Sequence, residues 1–189
     1  MNETALILMD VQKGFDDSCL GERNNPNAED NIIKLLSKWR ERNFPIIHIK
    51  HCSLDPNSPF RPNQPGNDFK EGSKPLKDEK IFTKTVNSAF IGTALERYLH
   101  SQNLLSLVFV GFTTDHCVST SVRMAANLGF EVIVISDATV AFERESHDKN
   151  HYSAEEIHNI HLTSLNGEFC KVKNTTEMLN LNTKLGKNL

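Results

Sequence analysis

The sequence predicts an α/β fold, a three-layer α/β/α sandwich around a mostly parallel six-stranded sheet. Three observations carry this. Short apolar runs rich in Ile, Val and Leu recur along the chain, as strands buried on both faces require. Amphipathic stretches of helical period lie between them. The two types alternate, which favours parallel strands joined by crossover helices.

Taken in order, the first strand is residues 5–9, Ala-Leu-Ile-Leu-Met. A helix over about 28–42 follows, with Ile32, Ile33, Leu35, Leu36 and Trp39 on one side. Further strands are expected at 45–49, 80–83, 107–110, 132–135 and 169–172, those at 80–83 and 169–172 being the weaker patterns. Helices are expected over 93–101, 117–128 and 154–165. The segment 52–79 carries Pro56, Pro59, Pro62, Pro65 and Pro75 and reads as a long loop, the usual form of a lid, binding loop or oligomer contact.

Bulk properties narrow the function. A chain of 189 residues fits one domain, and its size supports a core without disulfides. A net charge of −3 with no basic stretch argues against nucleic acid as a partner. No apolar run reaches membrane-spanning length, and the opening MNETALILMD lacks the basic region of a signal peptide. The four cysteines form no CxxC pair, so reduced thiols and a cytoplasmic location are expected.

Open parallel sheets bind ligands beyond the C-terminal ends of their strands, near the point where strand order reverses. The positions to inspect are therefore Asp10, His51, Lys84, the segment 111–117 and Asp137. Cys117 falls at the start of a predicted helix, where free N–H groups and the helix dipole lower a thiol's pKa and can hold an oxyanion. It also reads as a buried, inert thiol. Asp10 closes an apolar strand and would serve as a base towards Cys117, or as a turn cap. Lys84 would supply positive charge beside both, or lie on the surface. Together the three make a nucleophile, a base and a cation at separate strand ends.

The run Gly111-Phe112-Thr113-Thr114-Asp115-His116-Cys117-Val118-Ser119-Thr120-Ser121-Val122-Arg123-Met124-Ala125 resembles the nucleophile motif of isochorismatase-like cysteine hydrolases. That superfamily includes nicotinamidases and N-carbamoylsarcosine amidohydrolases. Leu8-Met9-Asp10-Val11-Gln12-Lys13-Gly14-Phe15 is similar to its opening strand and base, and Thr83-Lys84-Thr85-Val86-Asn87-Ser88-Ala89-Phe90 to its lysine loop. Val134-Ile135-Ser136-Asp137-Ala138 matches the strand after the nucleophile helix, so the likeness runs from about residue 4 to 172. It implies a single domain of isochorismatase-like (Rossmann-like) fold. Asp10 would deprotonate Cys117, and Lys84 would stabilise the negative charge between them. The backbone N–H groups of Thr113 and Cys117 would form the oxyanion hole, with a cis peptide at Phe112–Thr113. The implied reaction is acylation of Cys117 by a small amide or carbamoyl compound, then hydrolysis. A homodimer or homotetramer is expected on the same ground. A catalytically silent binding protein of this fold is the alternative.

The pattern departs from nicotinamidases in the metal site. Aligned with their Asp-x-His pair, His51 stands for the Asp, Ser53 for the first ligand histidine and Pro59 or a neighbour for the next. With three or four convergent ligands needed, no metal and no other cofactor is expected. True isochorismatases typically lack the nucleophilic cysteine, which argues against vinyl-ether hydrolysis here. Phe15, His51, Phe90 and His116 are expected to line the substrate pocket. Asn25-Pro26 reads as a turn before the first helix. Arg123 reads as structural or as an oligomer contact. His147, Asp148, His151, His158 and His161 read as surface residues, and 175–189 as a polar tail.

Overall fold

A computed structural model of the chain describes residues 4–180. The strands are β1 (Thr4–Met9), β2 (Ile46–His51), β3 (Lys80–Lys84), β4 (Ser106–Phe112), β5 (Glu131–Val140), β6 (Arg144–Glu145), β7 (His151–Tyr152) and β8 (Lys171–Lys173). The helices are α1 (Ala28–Glu41), α2 (Leu95–Ser101), α3 (Ser119–Asn127), α4 (Ala154–Leu165) and α5 (Thr175–Asn180). Six strands form one sheet in the order β3-β2-β1-β4-β5-β8, every neighbouring pair parallel. β6 and β7 make a small antiparallel pair outside it.

Both faces of the sheet are covered, and the central strands alternate between two cores. Leu6 and Leu8 face one core with Ile32, Leu35, Leu36 and Trp39 of α1 and Met178 of α5. Ala5, Ile7 and Met9 face the other, with Leu95 and Leu99 of α2, Val122 and Ala125 of α3, and Leu162 and Leu165 of α4. Each fully buried Leu or Ile contributes roughly 1.5–3 kcal/mol, so this period-2 placement fixes the register of β1. On α1 the buried stripe Ala28, Ile32, Leu35, Leu36 and Trp39 follows helical spacing. Its first turn is acidic (Glu29, Asp30) and its last basic (Lys38, Arg40), matching the helix dipole. Trp39 donates from Nε1 to the Thr4 carbonyl at 2.9 Å, tying the helix to the start of β1. A capping box between Ser153 and Glu156 sets the start of α4.

Chain order runs outward from β1 to β3, then returns to β4 on the other side of β1. The reversal therefore lies between β1 and β4, and their C-terminal ends deliver Asp10 and residues 113–117 to the same crevice. The two strands approach closely there. Gly111 has φ +113°, and a Cβ on it would lie 2.1 Å from the Met9 carbonyl oxygen.

Several expectations need correction. β5 continues to Val140 through a register shift, so Asp137 does not end a strand. Its carboxylate instead accepts from Thr175 N at 2.8 Å and Oγ1 at 2.7 Å, starting α5 in what had read as a polar tail. Residues 181–189 of that tail lie outside the described residues. His158 is 3% exposed, not a surface residue. Within 52–79, Lys70 N donates to the Val11 carbonyl at 3.0 Å, and Lys13 N to the Asp68 carbonyl at 2.9 Å, so the loop is bonded to the chain after β1. Arg123, expected to be structural or an oligomer contact, lies 4.5 Å over the Phe169 ring and donates to Ser164.

Candidate active site

Asp10 follows β1 directly and takes the left-handed region, φ +50°, which Asp tolerates better than most residues. The turn is held by bonds from Asp10 N to the Ile49 carbonyl (3.1 Å) and from Gln12 N to the Asp10 carbonyl (2.7 Å). The carboxylate is fully buried. Lys84 ends β3, two strands away, and reaches across β2 with a side chain that is also fully buried. Its Nζ lies 2.7 Å from Asp10 Oδ2 and donates to Cys117 Sγ at 3.3 Å, with His51 Nδ1 a third neighbour at 3.3 Å. The ammonium is thus enclosed by a carboxylate, a sulfur and a ring nitrogen.

His51 is itself clasped through its backbone. Gln12 Nε2 (3.0 Å) and Asn67 Nδ2 (2.8 Å) donate to its carbonyl, and its N–H donates to Gln12 Oε1 at 2.8 Å. Burial, and then the Lys84 charge, push its pKa down to about 4. The ring is therefore neutral at pH 7, with Nδ1 free to accept from the ammonium.

After β4 the Phe112–Thr113 peptide is cis, and residues Thr114–Val118 form one wide π-type turn before α3. The Thr113 carbonyl accepts from His116 N (3.2 Å) and Val118 N (3.0 Å), passing over the intervening Cys117. Wide turns of this kind recur at functional sites. Cys117 is 8% exposed, and its thiol interacts with the Asp10 carboxylate as well as with Lys84. The sequence had suggested a lowered thiol pKa. Burial first, then the Asp10 charge, push it up to about 12. Burial likewise raises Asp10, against the pull of Lys84. At rest the sulfur therefore holds its proton beside a carboxylate of raised basicity.

A cavity of about 200 Å³ opens over this group, lined by Asp10, Phe15, His51, Thr113, His116 and Cys117 among others. Five of its walls were not anticipated: Leu20, Phe60, Asn87, Phe142 and Arg144. Asn87 was legible, since it sits within the lysine-loop motif; its Oδ1 is 3.8 Å from Cys117 Sγ. Phe60 comes from the long loop and packs at a tilt against Phe15, 4.5 Å between centroids. Arg144 comes from β6 and is held by Asp115 Oδ2 at 2.9 and 3.1 Å. Phe90 does not line the cavity. It packs in the core against Phe130, because the turn after Asn87 points it under α3's face of the sheet. Among the described residues, no three or more His, Cys, Asp or Glu side chains are arranged to hold a metal ion.

Comparison with known proteins finds relatives that match the sequence and the fold. The isochorismatase domain model matches residues 4–164. The isochorismatase family protein YrdC of Bacillus subtilis (strain 168) is 49% identical over 176 residues, covering 93% of this chain and 94% of its own. A solved structure of an isochorismatase-family protein from Chromobacterium violaceum ATCC 12472 superposes with a TM-score of 0.92 at 41% identity, covering 95% of this chain and 93% of its own. A cysteine hydrolase from Pseudomonas syringae pv. phaseolicola 1448A superposes at 0.85 with 25% identity, over 94% and 91% of the two chains. With a buried carboxylate, lysine and cysteine meeting at the strand-order reversal, and relatives matched along nearly its whole length, this chain belongs to the isochorismatase family.

Proposed function

We propose that the protein is a metal-independent cysteine hydrolase that cleaves the C–N bond of a small amide or carbamoyl compound through an acyl-Cys117 intermediate. The observation that carries this reading is the Lys84 ammonium, in contact with the Asp10 carboxylate and the Cys117 sulfur at once. A carboxylate–lysine pair buried on its own costs desolvation energy. Beside a thiol at the floor of a cavity it supplies a base and a fixed positive charge.

In the reaction, Asp10 takes the thiol proton as sulfur forms its bond to the substrate carbonyl carbon. Lys84 keeps both the sulfur and the carboxylate in a positive field while charge moves between them. The backbone N–H groups of Thr113 and Cys117 are the donors for the resulting oxyanion. Collapse breaks the C–N bond, and the leaving nitrogen takes the proton from Asp10. Water then gives a proton to the freed carboxylate as its oxygen attacks the thioester. The second collapse returns that proton to sulfur and releases the acid. The cavity, at about 200 Å³, is below the roughly 300–1,000 Å³ of drug-sized sites, so the substrate is small. Its walls Phe15, Leu20, Phe60 and Phe142 are apolar, which excludes water from the charged floor.

A panel of small amides, carbamoyl compounds and ureido acids, assayed for ammonia release, tests the reading. Cys117→Ala is expected to abolish turnover while leaving the melting temperature within a few degrees. Intact-mass measurement of the wild type, quenched during turnover, is expected to show the acyl adduct on Cys117. Full turnover by the Cys117→Ala variant would overturn the mechanism. A compound that binds but is never cleaved would favour the silent binding protein.

A further inference from the structure

His158 is a buried titratable group with no part in the chemistry above, and it comes from α4, distant in sequence from every site residue. Its Nδ1 lies 2.9 Å from the Thr114 hydroxyl. Thr114 is fully buried and directly follows Thr113, one of the two oxyanion donors, three residues before the nucleophile. On its other side the imidazole faces the Ser136 carbonyl. Nε2 is also 3.5 Å from Asn25 Nδ2. That amide already donates to the Ser136 (2.8 Å) and Thr139 (2.7 Å) carbonyls, so it has no proton left for the ring.

These contacts choose the tautomer. Nε2, which receives no proton from Asn25, carries the hydrogen on the side facing Ser136, leaving Nδ1 to accept from Thr114. We propose that His158 is a positioning residue: by accepting from Thr114 it locks the wide turn that presents Cys117 and the Thr113 N–H to the substrate. The inference rests on the proposed cysteine-hydrolase reading for its catalytic consequence. The turn needs such a lock. Its Thr113 carbonyl bonds skip Cys117, so regular helical bonding does not fix the nucleophile. The Ser136 carbonyl, in the irregular part of β5, also accepts from Asn25 Nδ2 (2.8 Å) and Thr139 Oγ1 (3.3 Å), so His158 docks on a backbone turn already held by side chains. His158 thus joins α4 and β5 to the residue after the oxyanion position. Displacing a reacting atom by about 1 Å costs on the order of 100-fold in rate.

Two conservative replacements separate its two bonds. Asn places an amide oxygen near the Nδ1 position and keeps the acceptor for Thr114. Gln places its amide near the Nε2 position and keeps only the Ser136 side. Kinetics of ammonia release and the second-order rate of Cys117 alkylation by iodoacetamide are measured for wild type, His158→Asn, His158→Gln, Thr114→Val, Thr114→Ser and the Thr114→Val/His158→Gln double variant. His158→Gln and Thr114→Val are expected to lose at least ~10-fold in kcat and in alkylation rate, with KM within about two-fold. His158→Asn and Thr114→Ser are expected to stay near wild type. The double variant is expected to be no slower than the worse single one, as for two ends of one bond. Rates unchanged in Thr114→Val, or losses that multiply in the double variant, overturn the proposal whatever happens to stability. If the wild type cleaves nothing in the panel, the alkylation rates still decide the role of His158, and only the hydrolase reading falls.

Discussion

Lys84 shows how much of the site's behaviour rests on one side chain. It is the only cation touching the buried Asp10 carboxylate among the described contacts, at 2.7 Å. Removing one partner of a buried ion pair typically costs about 3–5 kcal/mol, because the other charge is stranded. Lys84→Met therefore destabilises the protein, and the size of the loss depends on pH. Burial already raises the Asp10 pKa above its ordinary value, and Lys84 holds that rise in check. Without the lysine it climbs further. A carboxyl group whose folded pKa exceeds its unfolded value stabilises the fold while protonated, and that contribution is lost as pH rises through the folded pKa. Denaturant unfolding at pH 5 and pH 8 is expected to show a small deficit for Lys84→Met at the lower pH and a larger one at the higher. Equal deficits at both would mean that removing Lys84 does not change the protonation of Asp10 between these pH values.

At the scale of elements, β1 and β4 meet where only a glycine fits. Gly111 takes a left-handed φ of +113°, and a methyl group there would sit 2.1 Å from the Met9 carbonyl oxygen. Neither strand can yield, since both are buried on either face. Gly111→Ala is expected to abolish soluble expression or lower the melting temperature by more than 10 °C, read by thermal unfolding. A loss under about 2 °C would show that β4 can shift away. The strands themselves were legible because burial on both faces writes an unbroken apolar run, as in Leu6-Ile7-Leu8-Met9. The cluster of Asp10, Lys84 and Cys117 was legible because each lies at or just beyond a strand's C-terminal end and because the motifs around them resemble those of the family. What stayed hidden depends on side-chain direction across distant elements. Phe90 and Phe60 are both apolar and both follow loops, yet only Phe60 faces the cavity. His158 lies on a helix with polar neighbours, and only its docking against Thr114 and Ser136 makes it a core residue. The raised Cys117 pKa was hidden for the same reason, since position after a strand gives no measure of burial.

Across the whole molecule, the buried histidines set the response to acid. Burial lowers the pKa of His48 and of His158, and both are under 4% exposed. His51 falls to about 4 through burial and the Lys84 charge. In the unfolded chain these groups titrate near 6.5. Above that pH both states are neutral and nothing is lost. As pH falls below 6.5, the unfolded chain takes up protons that the folded one refuses, and stability drops by roughly 1.4 kcal/mol per pH unit for each such group. Carboxylates take over lower down. Burial pushes Glu79 upward, but bonds from Arg40, the Leu76 N–H and His48 outweigh it and hold the group at about 2. Arg23 does the same for Glu29, also at about 2. Both lose their stabilising charge as pH falls from about 4.5 towards 2. Asp10, with its raised pKa, works in the opposite direction but is one group against several. Melting temperature is therefore expected to be flat from pH 8 to 7, to decline from about 6.5, and to fall more steeply below 4.5. His158→Asn, which retains the Thr114 contact without a titrating ring, is expected to flatten the 6.5–5 segment. A melting temperature constant from pH 7.5 to 5 would mean that these rings accept protons inside the fold as readily as in water.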